Sequence, residues 1–156
     1  MKYKSKKGWY TLQNPNKFIP PVDTHMKSFN ESSNSIEFKS SLEEKAWRYF
    51  DLVPKVKRFS IEPLYIPYLS PKDNRYHRYF IDAYVEFEDK KFLVEVKSSN
   101  ETVPPKKPKK STSKSEYYYQ KAVMTYKINQ AKWNSTINYC KDKGLNFIIL
   151  TEKELG

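Results

Sequence analysis

Asp82, Glu95 and Lys97 are residues whose types and spacing could do chemistry. Two runs flank Glu88-Asp89: in one Ile81, Ala83, Val85 and Phe87 alternate with polar residues, and in the other Phe92, Val94 and Val96 do. That is the period of half-buried strands. A two-residue turn at Glu88-Asp89 predicts a hairpin in which Val85 faces Phe92, Ala83 faces Val94 and Ile81 faces Val96. On the other side Asp82 stands opposite Glu95, Phe80 opposite Lys97, and Glu86 opposite Lys91. A one-residue slip would mix the apolar and polar sets, so the register is well specified. Opposed carboxylates repel unless something compensates them. A hard cation such as Mg²⁺ would do so, since all-oxygen ligation suits it, and Lys97 could then touch a bound water or a phosphate. Without a ligand, the trio would be a solvated face carrying a surface ion pair.

The surrounding elements must position that hairpin. A helix is expected from Ser40 to just before Pro54, with Leu42, Ala46, Trp47 and Phe50 on one face. Residues 56–68 look extended, and Pro63 and Pro67 confine that run to an edge or interrupt it. A loop at 69–75 follows, then one strand over 79–87 and a second over 91–97. A long helix is predicted over 115–143, stopped by Gly144. Phe147-Ile148-Ile149-Leu150 has the continuous apolar character of a buried strand. The order implies an α/β domain over 39–156, built on one mixed central sheet with an antiparallel catalytic hairpin flanked by helices.

With 156 residues, the chain has the size of one domain. Its 29 Lys and Arg against 18 Asp and Glu leave +11. Residues 1–38 contribute +3 and residues 97–114 contribute +5. Both segments are rich in Pro, Ser and Asn and lack apolar periodicity, so 1–38 reads as an extended basic arm and 98–114 as a basic loop. Lys106, Lys107, Lys109, Lys110 and Lys114 could clamp a DNA backbone without reading bases. Arg78, Gln130 and Lys132 are further candidate DNA contacts, and His77 lies among Arg75 and Arg78 as a phosphate contact. His25 is isolated.

Several classes are disfavoured. No apolar run reaches the roughly 18 residues of a membrane span, and no apolar segment follows the basic start as in a signal peptide. With three Gly there is no Gly-rich phosphate loop, so no nucleotide cofactor is expected. The lone Cys140 excludes an internal disulfide and reads as a small buried side chain. The expectation is a soluble intracellular protein that meets a polyanion, nucleic acid before an acidic membrane surface.

Asp82, a hairpin and Glu95-Val96-Lys97 resemble the PD-(D/E)xK nuclease motif. A wider series carries the likeness further: Lys39-Ser-Ser-Leu-Glu43, Glu62 before Ile66-Pro67-Tyr68, Arg78 to Asp82, and the loop from Glu101. Asn129 with Lys132-Trp133, and Phe147 to Glu152, complete it. This series is similar to the head completion nucleases of T-even-type phages, and more loosely to TnsA-like transposon endonucleases. Lys39 departs from the Arg usual before the Ser-x-x-Glu element.

The resemblance implies a restriction-endonuclease-like fold that cleaves double-stranded DNA with Mg²⁺, or Mn²⁺ as a substitute. Its implied setting is late phage assembly, in the host cytoplasm or with the virion, beside head, portal or neck proteins. It further implies that Asp82 and Glu95 hold the metal, that the Val96 carbonyl adds a ligand, and that Glu43 points into the site. Lys97 would position the nucleophile and stabilise charge on the phosphate. Spacing by itself gives Glu43 a second sufficient role, capping the helix with Ser40. Glu62 reads as a surface or supporting acid, and Trp133 as core. Two other readings stay open: a transposon-type or repair endonuclease in a larger complex, and a DNA-binding head-tail joining protein that does not cut.

Overall fold

Burial and backbone bonding partition the chain into two layers of apolar side chains around one sheet. The computed structural model describes residues 6–22 and 27–156, so His25 lies outside the described residues. In chain order the elements are β1 (Gly8–Thr11), β2 (Phe29–Asn30), β3 (Ser35–Phe38), α1 (Ser41–Leu52), β4 (Arg58–Ile61), β5 (Tyr65–Leu69) and β6 (Tyr76–Phe80). They continue with β7 (Ala83–Glu86), β8 (Lys91–Val96), α2 (Ser113–Lys143), β9 (Asn146–Leu150) and α3 (Glu152–Leu155).

The central sheet has the order β4-β7-β8-β9, antiparallel except for the β8-β9 pair, which α2 joins as a crossover. It is a mixed α/β fold, consistent with the restriction-endonuclease-like architecture. The β7-β8 register is the one the alternation predicts, with Ala83 opposite Val94 and Val85 opposite Phe92. The Phe87 amide donates to the Lys90 carbonyl at 2.8 Å, which closes the two-residue turn.

α1 begins where the sequence indicates. Ser40 caps it by accepting the Glu43 amide at 3.1 Å, and Val53 ends it before Pro54. Its Leu42, Ala46, Trp47 and Phe50 pack with Ala83, Val85, Val94 and Val96. On the other sheet face, Trp133 and Cys140 of α2 pack with Leu93. α2 spans 31 residues, about 46 Å of helix at the usual rise. Its buried residues start only at Asn129, so the N-terminal half leaves the core. Gly144, at φ +69°, supplies the left-handed stop.

Three sequence expectations change. First, the described residues between 8 and 38 are not an irregular arm. β1, β3 and β2 form an antiparallel sheet, and Tyr10, Leu12, Phe18, Ile36 and Phe38 join the core. Asp51, fully buried on α1, ties this segment down by accepting the Tyr10 hydroxyl at 2.6 Å and the Gln13 and Asn14 amides at 2.8 and 2.9 Å.

Second, the strand expected over 79–87 is broken, so Phe80 does not oppose Lys97, Ile81 does not oppose Val96, and Asp82 and Glu95 lie beyond the last pair of the β7-β8 ladder. Phe80 pairs with Tyr65 in a separate two-stranded sheet, β5-β6. Ile81 joins the α2 layer, not the layer of Ala83 and Val85. Third, β9 is only partly covered, and Ile148 is 37% exposed. Ile148 and Leu150 line an apolar groove instead of a closed core.

Candidate active site

One β-bulge explains where Asp82 sits. β4-β7 and β5-β6 are two halves of one bent ribbon. Ile61 pairs with Ala83, and the next pair is Tyr65 with Phe80. Residues 62–64 therefore lie against residues 81 and 82, one extra residue on the β4-β5 side. Such insertions bend a strand and re-aim side chains beside functional sites. The bend is held by the Glu62 amide donating to the Asp82 carbonyl at 3.0 Å and the Ile81 amide donating to Leu64 at 3.2 Å. Glu62 takes φ +44°, a left-handed conformation costly for a residue with a side chain.

The bend ends the β7-β8 ladder at Ala83 and Val94. Beyond it, Asp82 braces β8 with its side chain: its Oδ2 accepts the Val96 amide at 2.8 Å. Glu95 is buried, 6% exposed. Its Oε2 accepts a hydrogen bond from the Tyr79 hydroxyl, and its Oε1 lies 3.6 Å from Lys97 Nζ. The Lys97 amide is fixed by the Leu150 carbonyl of β9 at 3.0 Å.

Burial dominates the electrostatics here. Asp82 keeps a partial opening to solvent but is densely surrounded, and that desolvation lifts its carboxyl to about 7; the Val96 amide opposes the rise while Glu43 adds to it. Glu95 is also lifted to about 7 by burial, against the pull of Lys97 and Lys132. Glu43 is raised as well, again by burial first, with the Lys39 amide lowering it and Glu62 raising it. Lys132 is lowered by burial and then by Lys97. Three carboxylates and two lysines therefore share one field.

Glu43 supports the start of α1 and contributes to the field of the site. Its Oε2 accepts the Lys39 amide at 2.6 Å as a helix-cap partner, and its charge reaches Asp82 and Glu95. Lys39 and Glu62 form an ion pair at 3.2 Å, and Ser28 also donates to Glu62 at 3.2 Å.

Among the described residues no three His, Cys, Asp or Glu side chains converge as a ready cation cage. Mg²⁺ does not require one, since it keeps several waters and takes one or two carboxylates with substrate phosphates. The buried Glu95 and the partly open Asp82, which offer oxygen donors alone, fit that demand.

The other sequence candidates lie in several places. Lys132 enters the site and lies over the rings of Tyr68 and Tyr79, at 5.7 and 5.5 Å. Gln130 is half-buried on α2, and Trp133 is core. Arg78 lies on the outward face of the β5-β6 hairpin, 5.1 Å over the ring of Tyr65. Lys106, Lys107, Lys109 and Lys110 are exposed on the loop before α2, and Lys114 is exposed in its first turn. His77 pairs with Asp73 at 2.8 Å instead of standing free for a phosphate.

Tyr79 escapes sequence reasoning, whereas Glu62, half-buried and paired with Lys39, lies where a supporting acid is expected. Alternation puts Tyr79 with Ala83 on one face, and only the bend carries it to the Glu95 side. The adjacent Pro63 is the one local sign that a strand breaks there.

The TnsA-like endonuclease N-terminal family matches residues 53–152. The chain is also 26% identical over 135 residues to the head completion nuclease of Enterobacteria phage T4, covering 86% of this chain and 90% of that protein.

Proposed function

Because the chain belongs to the TnsA-like endonuclease N-terminal family, and is by that kinship a nuclease, we propose that it hydrolyses DNA phosphodiesters with Mg²⁺ during phage head completion, before head-tail joining. The observation that carries this is the buried Glu95, held by Tyr79 and Lys97, with Asp82 tied to the next residue of its strand through the Val96 amide. A buried acid such as Glu95 is costly to a fold, so it is expected where a cation and a phosphate complete the field.

Each residue has a task. Asp82 and Glu95 would hold the ion, with the Val96 carbonyl as a further ligand and Glu43 directly or through water. When bound, Mg²⁺ (or Mn²⁺ in its place) polarises the phosphate and lowers the pKa of an attacking water. Lys97 orients that water and stabilises charge developing on the phosphate oxygens. Lys132 adds a second cation over the same phosphate.

The basic loop, Lys114 and Gln130 would hold the duplex backbone. The name of the T4 relative points to the phage head as the place of action, and head, portal or neck proteins are the partners we propose. The corresponding place of action is the host cytoplasm during assembly, or the virion. The family match favours one second reading, an endonuclease that nicks within a larger complex.

Incubation of supercoiled and linear duplex DNA with the full chain, in Mg²⁺ or chelator, tests the proposal. Cutting that needs metal and disappears in Glu95→Ala is expected. Metal-independent cutting, or cutting that survives Glu95→Ala, would refute it.

A further inference from the structure

The β5-β6 hairpin has two unlike faces. Ile66, Tyr68 and Tyr79 point into the α2 layer. Their neighbours in register, Tyr65 with Phe80, Pro67 with Arg78, and Leu69 with Tyr76, are all exposed. Tyr76 is 76% exposed and Phe80 57%. This outward face carries one cation, no acid and three aromatic rings. It is also ordered within itself: Tyr65 and Phe80 rings lie 5.9 Å apart, and Arg78 covers Tyr65.

Phe80 is two residues before Asp82, so the face runs directly into the catalytic bend. There it borders a groove of about 600 Å³ lined mainly by Pro20, Val22, Glu62, Pro63, Phe80 and Tyr84. Glu62 is the one acid of that lining, and it is already paired with Lys39. The groove is thus mainly apolar, with Phe80 and Tyr84 as its aromatic rings, and the adjoining hairpin face adds the cation Arg78.

We propose that this groove and the Phe80 end of the hairpin receive a nucleobase unpaired from its partner beside the bond to be cut. The substrate class is then DNA with unpaired nucleotides, such as a frayed or overhanging end, in preference to continuous duplex. The inference rests on the nuclease reading and adds the form of DNA that the site accepts. Two observations carry it together. Base stacking on aromatic rings tolerates any sequence, and a ring can take a base only when that base has left its pair. Arg78 supplies a cation on the same face, over Tyr65, where the adjoining phosphates would pass.

The test uses the full chain in chelator, so that binding is read without cutting. Two short DNAs of equal length carry 2-aminopurine near one end, either fully paired or in a short unpaired overhang. Fluorescence anisotropy reports binding and 2-aminopurine emission reports stacking. The unpaired DNA is expected to bind about tenfold more tightly, with emission quenched at least about twofold, the scale of one stacked base. Phe80→Ala should abolish the quench and the preference, and Phe80→Tyr should keep both. The exposure of Phe80 makes both variants compatible with folding, which circular dichroism checks. Equal binding of the two DNAs without quenching overturns the inference but leaves the nuclease reading intact. Full preference in Phe80→Ala also overturns it and assigns the face to a protein partner. Failure to bind either DNA overturns both.

Discussion

The Asp82 carboxylate accepts the Val96 amide at 2.8 Å, at the point where the β7-β8 backbone ladder has already ended. A side chain thereby continues the work of the sheet. Asp82 is tied to the strand that carries Glu95 and Lys97, and one of its oxygens remains for other partners. Loss of this tie disturbs geometry as well as charge. Asp82→Asn, which keeps the shape, should lower the cleavage rate by about 10³-fold, the usual scale for removing a preorganised electrostatic group. A variant that cuts within tenfold of the native rate would remove Asp82 from the site. Circular dichroism distinguishes this from unfolding.

Asp82 and Glu95 both sit above their ordinary range, at about 7, because burial disfavours their charged forms. The folded protein therefore binds more protons than the unfolded chain between about 4 and 7, and stability falls as pH rises through that window. In chelator the loss should be on the order of a few kcal/mol, read from urea unfolding at successive pH values. Glu95→Gln should flatten the profile. Mg²⁺ should restore stability at the upper end, and a profile indifferent to Mg²⁺ would count against the metal.

Tyr79 positions Glu95 from the neighbouring hairpin. Tyr79→Phe should lower kcat about 10- to 100-fold, the range for a residue that orients a metal ligand. KM for DNA should stay unchanged, and more Mg²⁺ should be needed for half-maximal rate. A loss confined to KM would make Tyr79 a DNA contact instead.

Asp51 has no part in the chemistry. It holds β1 and the following turn to α1 through the Tyr10 hydroxyl and two amides. Asp51→Ala leaves those donors unsatisfied and should destabilise by about 3 kcal/mol. Tyr10→Phe, which removes one donor and leaves the other two bonds, should cost about 1 kcal/mol. Equal costs would show that the amide bonds contribute little.

The four lysines of the loop at 106–110 should act through phosphates and not through bases. Replacing Lys106, Lys107, Lys109 and Lys110 with Ala should flatten the log-log salt dependence of DNA binding by up to about 3.6, near 0.9 per phosphate contact. Sequence preference should not change. An unaltered slope would separate this loop from the DNA path.

Alternation alone determined the β7-β8 register, because one slip would exchange buried and polar faces along the whole hairpin. Apolar spacing with the Ser40 cap defined α1, and Gly144 defined the end of α2, since these signals act within a few residues. Together they made Asp82, Glu95 and Lys97 readable as neighbours. The tertiary structure decided what alternation could not. One extra residue at 62–64 bends a long ribbon, sends Tyr79 and Ile81 to the α2 layer and turns Phe80 outward. The burial of Asp51 by the N-terminal segment, and of Glu95 beneath α2, depends on contacts across 41 and 16 residues for their hydroxyl partners Tyr10 and Tyr79. Periodicity measures which face of an element is apolar. It carries no information about which distant element covers that face, and here that cover gives the carboxylates their field.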